Sequence, residues 1–438
     1  MNEGGFHLVS KTNDKHIYIK LLSNKSLLSI WSGQTFSIIG DAFFDLAIMW
    51  VVYSQSQSIF LSSLVGVLFH LSSALLSPIA GVLADRFDRK KMIIITNILS
   101  AFVVLIVSLT VFIMGYLPTF VALLAIVLLN GLTAFLYPAE SSILPDIVGP
   151  NLLSSAYGMF TTISNSAALI GSAVAGLFIA GVGAGWAFSI DSLSFIIVAF
   201  FIAVAKIPKR QIDPNLSLER KKSSFWIDMV NGWNYIKGFP IMKSFVWLTL
   251  LSNIPSFIGS LYPPLVAQQL NGEAGTLGFL EAAGVIGAIF GGIIVGSFER
   301  RFGSGRLIVF FWFVVGLCTI GIGLSTSTFL SLVLLFLRTL STTMASVCIF
   351  TVQMALISEN FRGRVNGVMR SFAVIAIPIS TLIAGGLGEI VGITTLFIIS
   401  GIWSIGVGFL ALTNSHIRKV KVGTKNIEKN TEAIEQKA

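Results

Sequence analysis

Long apolar runs alternate with short polar breaks along this chain, and nearly every run is the length that crosses a bilayer. A helix rises about 1.5 Å per residue, so a hydrocarbon core of about 30 Å calls for roughly 20 apolar residues. Such runs predict spans at 27–53, 61–84, 92–114, 118–138, 152–181 and 186–205. After a polar interval, a second set is predicted at 243–266, 275–297, 306–325, 328–350, 365–388 and 394–413. Several exceed the minimum, as tilted helices do. Pro78, Pro255, Pro263, Pro264 and Pro378 fall within these runs and are expected bending points. The pattern divides the chain into a tail (1–26), six spans (27–205), a linker (206–242), six more spans (243–413) and a closing tail (414–438).

Composition strengthens this reading. Only 11% of the 438 residues are charged, against roughly 25% in a soluble domain. The 35 Phe and 41 Gly fit lipid-facing bulk alternating with close helix packing. Cys318 and Cys348 lie inside apolar runs and read as core residues, so no disulfide, metal or other cofactor is expected.

The net charge of +9 could suggest a nucleic-acid partner, but its placement argues for topology. An even number of spans puts both tails on one side. Every Lys and Arg except Arg338 falls in the tails or at the connections on that side; the connections near 54–60, 115–117, 182–185, 267–274, 326–327 and 389–393 hold none. Basic residues stay in the cytoplasm, so both termini are expected there, with no cleaved signal peptide. Within the linker, Phe225, Trp226, Met229, Val230, Trp233 and Ile236 share a helical face. That predicts a helix lying along the inner leaflet and acting as a structural linker.

The halves also resemble each other. Residues 157–183 lie over 366–392, aligning Gly158, Gly176 and Gly183 with Gly367, Gly385 and Gly392. GVLADRF (81–87) lies over GSFERRF (296–302). Weak internal symmetry of this kind marks transporters built from duplicated bundles, with the substrate site between them.

Between the second and third spans stands GVLADRFDRKK, residues 81–91. Here the chain resembles the major facilitator superfamily, whose loop signature is Gly-x-Leu-Ala-Asp-Arg-x-Gly-Arg-Lys; Asp88 replaces the second glycine. SGQTFSIIGDAFFDLAIMW, FLYPAESSILPDIV, AFSIDSLSFII and FRGRVNGVMRS extend the resemblance to its macrolide and multidrug efflux branch over nearly the whole chain. The resemblance implies an all-α membrane protein of twelve transmembrane helices in two six-helix pseudo-symmetric bundles. It implies that Gly81, Asp85, Arg86, Arg89 and Lys90 form a cytoplasmic gate, Asp85 acting on a neighbouring helix N-terminus. Glu140 and Asp146 are expected in the same gating region. Two features depart from the branch. Val127 holds a position where exporters often carry arginine, four residues before Gly131, and the helix-five exporter motif is reduced to Gly171-Ser172-Ala173-Val174-Ala175-Gly176. Gly171, Gly176 and Gly385 remain expected helix-packing positions.

Candidate chemistry is sparse and therefore conspicuous. Gln34, Ser37, Asp41 and Asp45 fall at i, i+3, i+7 and i+11, one stripe of the first span. Charged groups in a bilayer face a bundle interior or water. Either aspartate could exchange a proton, and protonation would remove the charge that holds a cationic substrate. The alternative is a purely structural hydrogen bond. Asp191, Glu281, Arg338 and His70 complete the candidates. Asp191 is expected either to couple transport or to bond Ser189 or Ser192, and His70 either to relay protons or to pack beside Ser72 and Ser73. For Arg338, Asp41, Asp45 or Glu281 is the expected anionic partner.

No HExxH, GxSxG, His/Cys cluster or P-loop occurs, which argues against an enzyme. A passive channel would need neither repeat nor latch. The expectation is a monomeric, proton-coupled exporter of lipophilic, macrolide-like drugs in the plasma membrane; the alternative is transport of a defined metabolite such as a siderophore, sugar or lysolipid.

Overall fold

The computed structural model describes residues 21–84, 88–149, 152–206, 225–357, 361–418 and 420, and all regular structure among them is helical. The first set comprises α1 (Lys25–Ser56), α2 (Ile59–Ala84), α3 (Arg89–Met114), α4 (Thr119–Val148), α5 (Leu153–Val182) and α6 (Ala184–Val204). The linker helix α7 (Phe225–Gly238) leads to α8 (Pro240–Asn253), a 3-10 stretch (Ile254–Leu261) and α9 (Tyr262–Gln268). Then come α10 (Ala274–Phe302), α11 (Ser304–Leu324), α12 (Thr328–Leu356), α13 (Arg362–Val391), α14 (Ile393–Thr413) and the short α15 (Ser415–Arg418). Ten spans among the described residues are long and apolar enough to cross a membrane, and shorter apolar stretches lie at 59–72 and 375–391.

Local chemistry sets the ends. Asn24 caps α1, its side-chain oxygen accepting from Ser26 N (3.1 Å) and Leu27 N (3.2 Å). Asp88, which stands where the family signature has its second glycine, caps α3 by accepting from Lys91 N at 3.0 Å. The repeat-aligned Gly183 and Gly392 end α5 and α13 with φ of 102° and 80°, a region costly for other residues. Each lets the next helix start at once.

The seventh predicted span is not one helix. Pro255 opens the 3-10 stretch, and Pro263 and Pro264 occupy the first turn of α9. Proline lacks the N–H that would continue an α-helix but suits a first turn. The linker helix also differs from expectation. Val230 is exposed, whereas Tyr235 and Ile236 are buried, and Tyr235 stacks on Phe361 with ring centroids 4.6 Å apart. This helix docks on α13 and α8 through a neighbouring face. Phe225 and Trp226 have side chains outside the described residues.

Within the first set, α1 packs on α5 and α6, α3 on α4 and α6, and α2 on α4. Within the second, α10 packs on α12, and α11 on α12 and α14. The sets meet where α5 crosses α10 and where α2 crosses α13 and the 3-10 stretch. At the end opposite Leu21 and Val420, here the distal end, one apolar core spans both sets: Phe43, Ile48 and Phe188 share it with Phe257, Leu265 and Leu277. Toward the terminal end the cores of the described residues are separate. Ile93, Ile143 and Ile202 belong to one set, while Phe245, Trp312 and Met344 belong to the other. The halves are therefore joined distally.

Candidate functional site

The α1 stripe opens onto a cavity of about 350 Å³ between α1, α5 and α10. Asp41 and Asp45 line it from α1, Ser172 from α5, and Leu277 and Glu281 from α10; Met49 closes its apolar side. Three carboxylates, two from one half and one from the other, thus share one cavity at the seam. Asp45 lies within electrostatic reach of both Asp41 and Glu281.

Glycines bring these helices close. A Cβ on Gly171 would lie 3.0 Å from Ala42 Cβ and 3.2 Å from Ile39 Cα, so α5 lies against α1 beside Asp41. One turn further, a Cβ on Gly176 would lie 2.5 Å from Gly278 Cα, and one on Gly278 would lie 2.6 Å from Gly176 Cα. This is a backbone-to-backbone crossing. Gly385 takes the same part in the other seam, where a Cβ would meet Ser63 Cβ at 2.5 Å.

Asp191 stands behind the cavity rather than in it. It is fully buried on α6, and its Oδ1 would lie 2.7 Å from a Cβ on Gly40, the neighbour of Asp41. The serine that serves it is Ser194, whose Oγ donates to Oδ1 at 3.3 Å. Ser189 and Ser192, the expected partners, bond Ser108 and the Ala101 carbonyl instead. Both lie within two positions of Asp191 and so point elsewhere, whereas i+3 shares its face. Asp191 Oδ2 is buried without a protein partner, a position that costs free energy unless water or a proton satisfies it.

Arg338 does not meet its expected carboxylates. Its Nε donates to Thr319 Oγ1 (3.1 Å) and a terminal nitrogen donates to Tyr262 Oη (3.2 Å). Tyr262 lies within electrostatic reach of both Arg338 and Glu281. Neither hydroxyl was foreseen, because partner choice depends on where the 3-10 break swings α9. His70 is exposed and lies one turn past Gly66, on the α2 face that meets Ser260 and Thr381 of the second half.

Of the gate motif, Asp85 and Arg86 lie outside the described residues, as do the surroundings of Gly81 and the side chains of Glu140, Asp146 and the expected bending point Pro78. Lys90 is described, and its Nζ donates to the carbonyls of Ala203 (2.7 Å) and Ala205 (2.8 Å) at the end of α6. That ties α3 to α6 within one half. Arg89 opens α3 beside it.

A bundle of membrane-length helices, with a cavity holding three carboxylates where two repeated halves cross, is the architecture of a secondary transporter. The family model for transmembrane secretion effectors, a major facilitator superfamily group, matches residues 19–435, and the chain belongs to that family. Macrolide efflux protein A of Streptococcus pyogenes is 25% identical over 403 residues, covering 90% of this chain and 96% of that protein. The multidrug efflux pump Tap of Mycolicibacterium fortuitum is 23% identical over 405 residues, covering 88% and 95%. Among solved structures, a bacterial homologue of the human lysosomal transporter Spinster, inward-facing and unoccupied, gives a TM-score of 0.65 at 16% identity over 97% of this chain and 99% of that one. The chain is thus a multi-pass membrane transporter of small molecules with efflux-pump relatives, and not an enzyme.

Proposed function

We propose that this transporter exports lipophilic, macrolide-like drugs from the cytoplasm in exchange for protons, with two six-helix bundles rocking about a central site in the plasma membrane. The observation that carries the proposal is the meeting of Asp41, Asp45 and Glu281 in one cavity at the α5/α10 seam. Three like charges in one small cavity within the membrane repel one another, and either a proton or a cationic substrate relieves that repulsion. The two therefore compete. Proton entry expels the substrate, and substrate entry expels the proton, which is antiport.

The other groups take supporting parts in this scheme. Asp191 receives a proton from Asp41 past Gly40, whose lack of a side chain lets α6 pack close beside Asp41, and Arg338 acts on Glu281 through Tyr262. His70, on the α2 face toward the second half, offers a further relay. Gly81, Asp85, Arg86 and Arg89 form the cytoplasmic gate, while Lys90 anchors α3 beside it. The basic residues at the terminal end put both tails in the cytoplasm, so the distal seam faces outward. In this reading the distal core shared by the two halves closes the outward side, as in the cytoplasm-facing state of the cycle. One chain supplies every group the cycle uses, consistent with a monomer.

The test is efflux of a panel of antibiotics and dyes from cells expressing wild type or Asp41→Asn. Wild type should export at least one compound, and a protonophore should stop it. Asp41→Asn should abolish export at equal expression. Undiminished efflux in either the variant or the protonophore-treated cells would overturn proton coupling through Asp41.

A further inference from the structure

Glu389 is an acidic residue in the last turn of α13, where its own helix presents the negative end of its dipole. Nothing within α13 favours a carboxylate there. Across the seam, however, lies the N-terminus of α2. Ser58 caps that helix, its Oγ accepting from Leu61 N at 3.2 Å. The same Oγ donates to Glu389 Oε1 at 2.6 Å, and Phe60 N donates to that oxygen at 2.9 Å. The carboxylate therefore completes the N-terminus of a helix more than 300 residues away in sequence.

The surroundings suit a contact that is made and broken. Below Glu389, a Cβ on Gly388 would lie 2.6 Å from Ile59 Cγ2, and Gly385 faces Ser63. Ser62 Oγ donates to the Ser260 carbonyl at 2.7 Å. Beside it, Gln268 Nε2 donates to Tyr53 Oη at 2.7 Å, again across the halves. The rest of this seam is thus small side chains and neutral hydrogen bonds, and Glu389 supplies its one charged contact among the described residues. Glu389 is also exposed. Water can replace both donors when the seam opens, so release is not opposed by a buried charge.

We propose that Glu389 is the latch of the distal gate, holding α2 and α13 together in the cytoplasm-open state and letting go as the transporter turns outward. The proposal rests on the alternating-access reading above. It also pairs with the motif after α2. There Asp85 is expected to act on a helix N-terminus at the cytoplasmic end, so a carboxylate-to-helix latch would serve each end, one closing as the other opens.

The test places spin labels on the distal turns of the two halves, at Tyr116→Cys and Thr326→Cys, in the full-length protein in nanodiscs. Both positions are exposed, and the native Cys318 and Cys348 are buried. Double electron–electron resonance then reads the distal separation. Glu389→Gln keeps the shape but removes the charge, and should raise the distal-open to distal-closed ratio roughly five- to tenfold, as loss of a partly exposed charge-assisted contact would. Ser58→Ala, a milder change, should shift it in the same direction by a smaller factor. Unchanged distance distributions in both folded variants would overturn the latch. The readout needs neither substrate nor proton gradient, so a failed latch is told apart from failed proton coupling.

Discussion

The α5/α10 and α2/α13 seams are copies of one design that enclose different things. In the register that lays Gly81 on Gly296, Ser63 falls on Gly278, Gly66 on Glu281 and Asp45 on Ser260. In the register that lays Gly176 on Gly385, Ser172 falls on Thr381. The contact of Gly176 with Gly278 thus corresponds to that of Gly385 with Ser63. Beside the first lies the cavity with Asp45, Ser172 and Glu281. Beside the second, the corresponding Ser260, Thr381 and Gly66 pack together: a Cβ on Gly66 would lie 2.7 Å from Ser260 Cβ and 3.5 Å from Thr381 Cγ2. Small residues hold the backbone geometry at both crossings, and only one of them carries a cavity lined by carboxylates. Closeness and chemistry are separable features of the repeat.

The largest effects should therefore be one-sided. Glu281→Gln or Asp45→Asn should lower efflux by a factor of about 100 or more, the scale of losing a group that exchanges a proton directly. Ser260→Ala, at the position that matches Asp45, and Thr381→Ala, at the one that matches Ser172, should leave it within about twofold of wild type, since they remove no charge and only a modest hydrogen bond. Equal losses on both sides, measured as initial efflux rates at matched expression, would show that the comparison describes packing alone.

Arg338 sharpens the same contrast, because it lies in the second half yet serves the charged seam. Arg338→Ala should abolish transport while leaving expression intact. It removes the cation from Tyr262 and Thr319, which are neutral hydroxyls and stay satisfiable. Tyr262→Phe should reproduce a large part of that loss, as expected if Arg338 acts on Glu281 through this ring. Normal transport in Arg338→Ala refutes the role.

Gly176→Leu and Gly385→Leu ask whether closeness matters equally at both crossings. Each side chain must push its partner helix away, and overpacking of this kind costs about 1–3 kcal/mol. Both should favour distal opening to a similar degree, read from labelling of single cysteines at the distal seam. If only Gly176→Leu has an effect, the seams are not mechanical equivalents.

How much of this was legible in the sequence follows from which forces are local. Span positions came from runs of apolar residues, because a bilayer requires length and continuity. The α1 stripe came from helical spacing alone, and the repeat glycines marked the crossings, since only small residues permit them. What could not be read was set by tertiary geometry. Thr319 and Tyr262 reach Arg338 across three elements, and the 3-10 break that places Tyr262 leaves no periodic signal. Ser194 rather than Ser189 or Ser192 serves Asp191, a choice that helical spacing could have made. Two further residues carried unused signals. Asp88 stands where an N-cap belongs, three residues before Lys91. Glu389 opposes its own helix dipole, an unfavourable placement that a partner elsewhere would offset.

The smallest effect expected is at Lys90, which tests whether the loop after α2 acts as one unit. Its Nζ bonds two carbonyls at the end of α6, both inside the first half and away from either seam. Those contacts combine a charge-assisted hydrogen bond with a cation at a helix C-terminus, together worth about 1–2 kcal/mol at a half-buried site. Lys90→Met keeps the aliphatic stem and removes the donors. It should lower the thermal midpoint by about 2–4 °C and leave efflux within about twofold of wild type, because α3 and α6 move together as the halves rock. A variant of normal stability with lost transport would give the opposite lesson. Lys90 would then leave α6 during the cycle to join Asp85 and Arg86, and the bonds to Ala203 and Ala205 would be its resting position in one state of the gate.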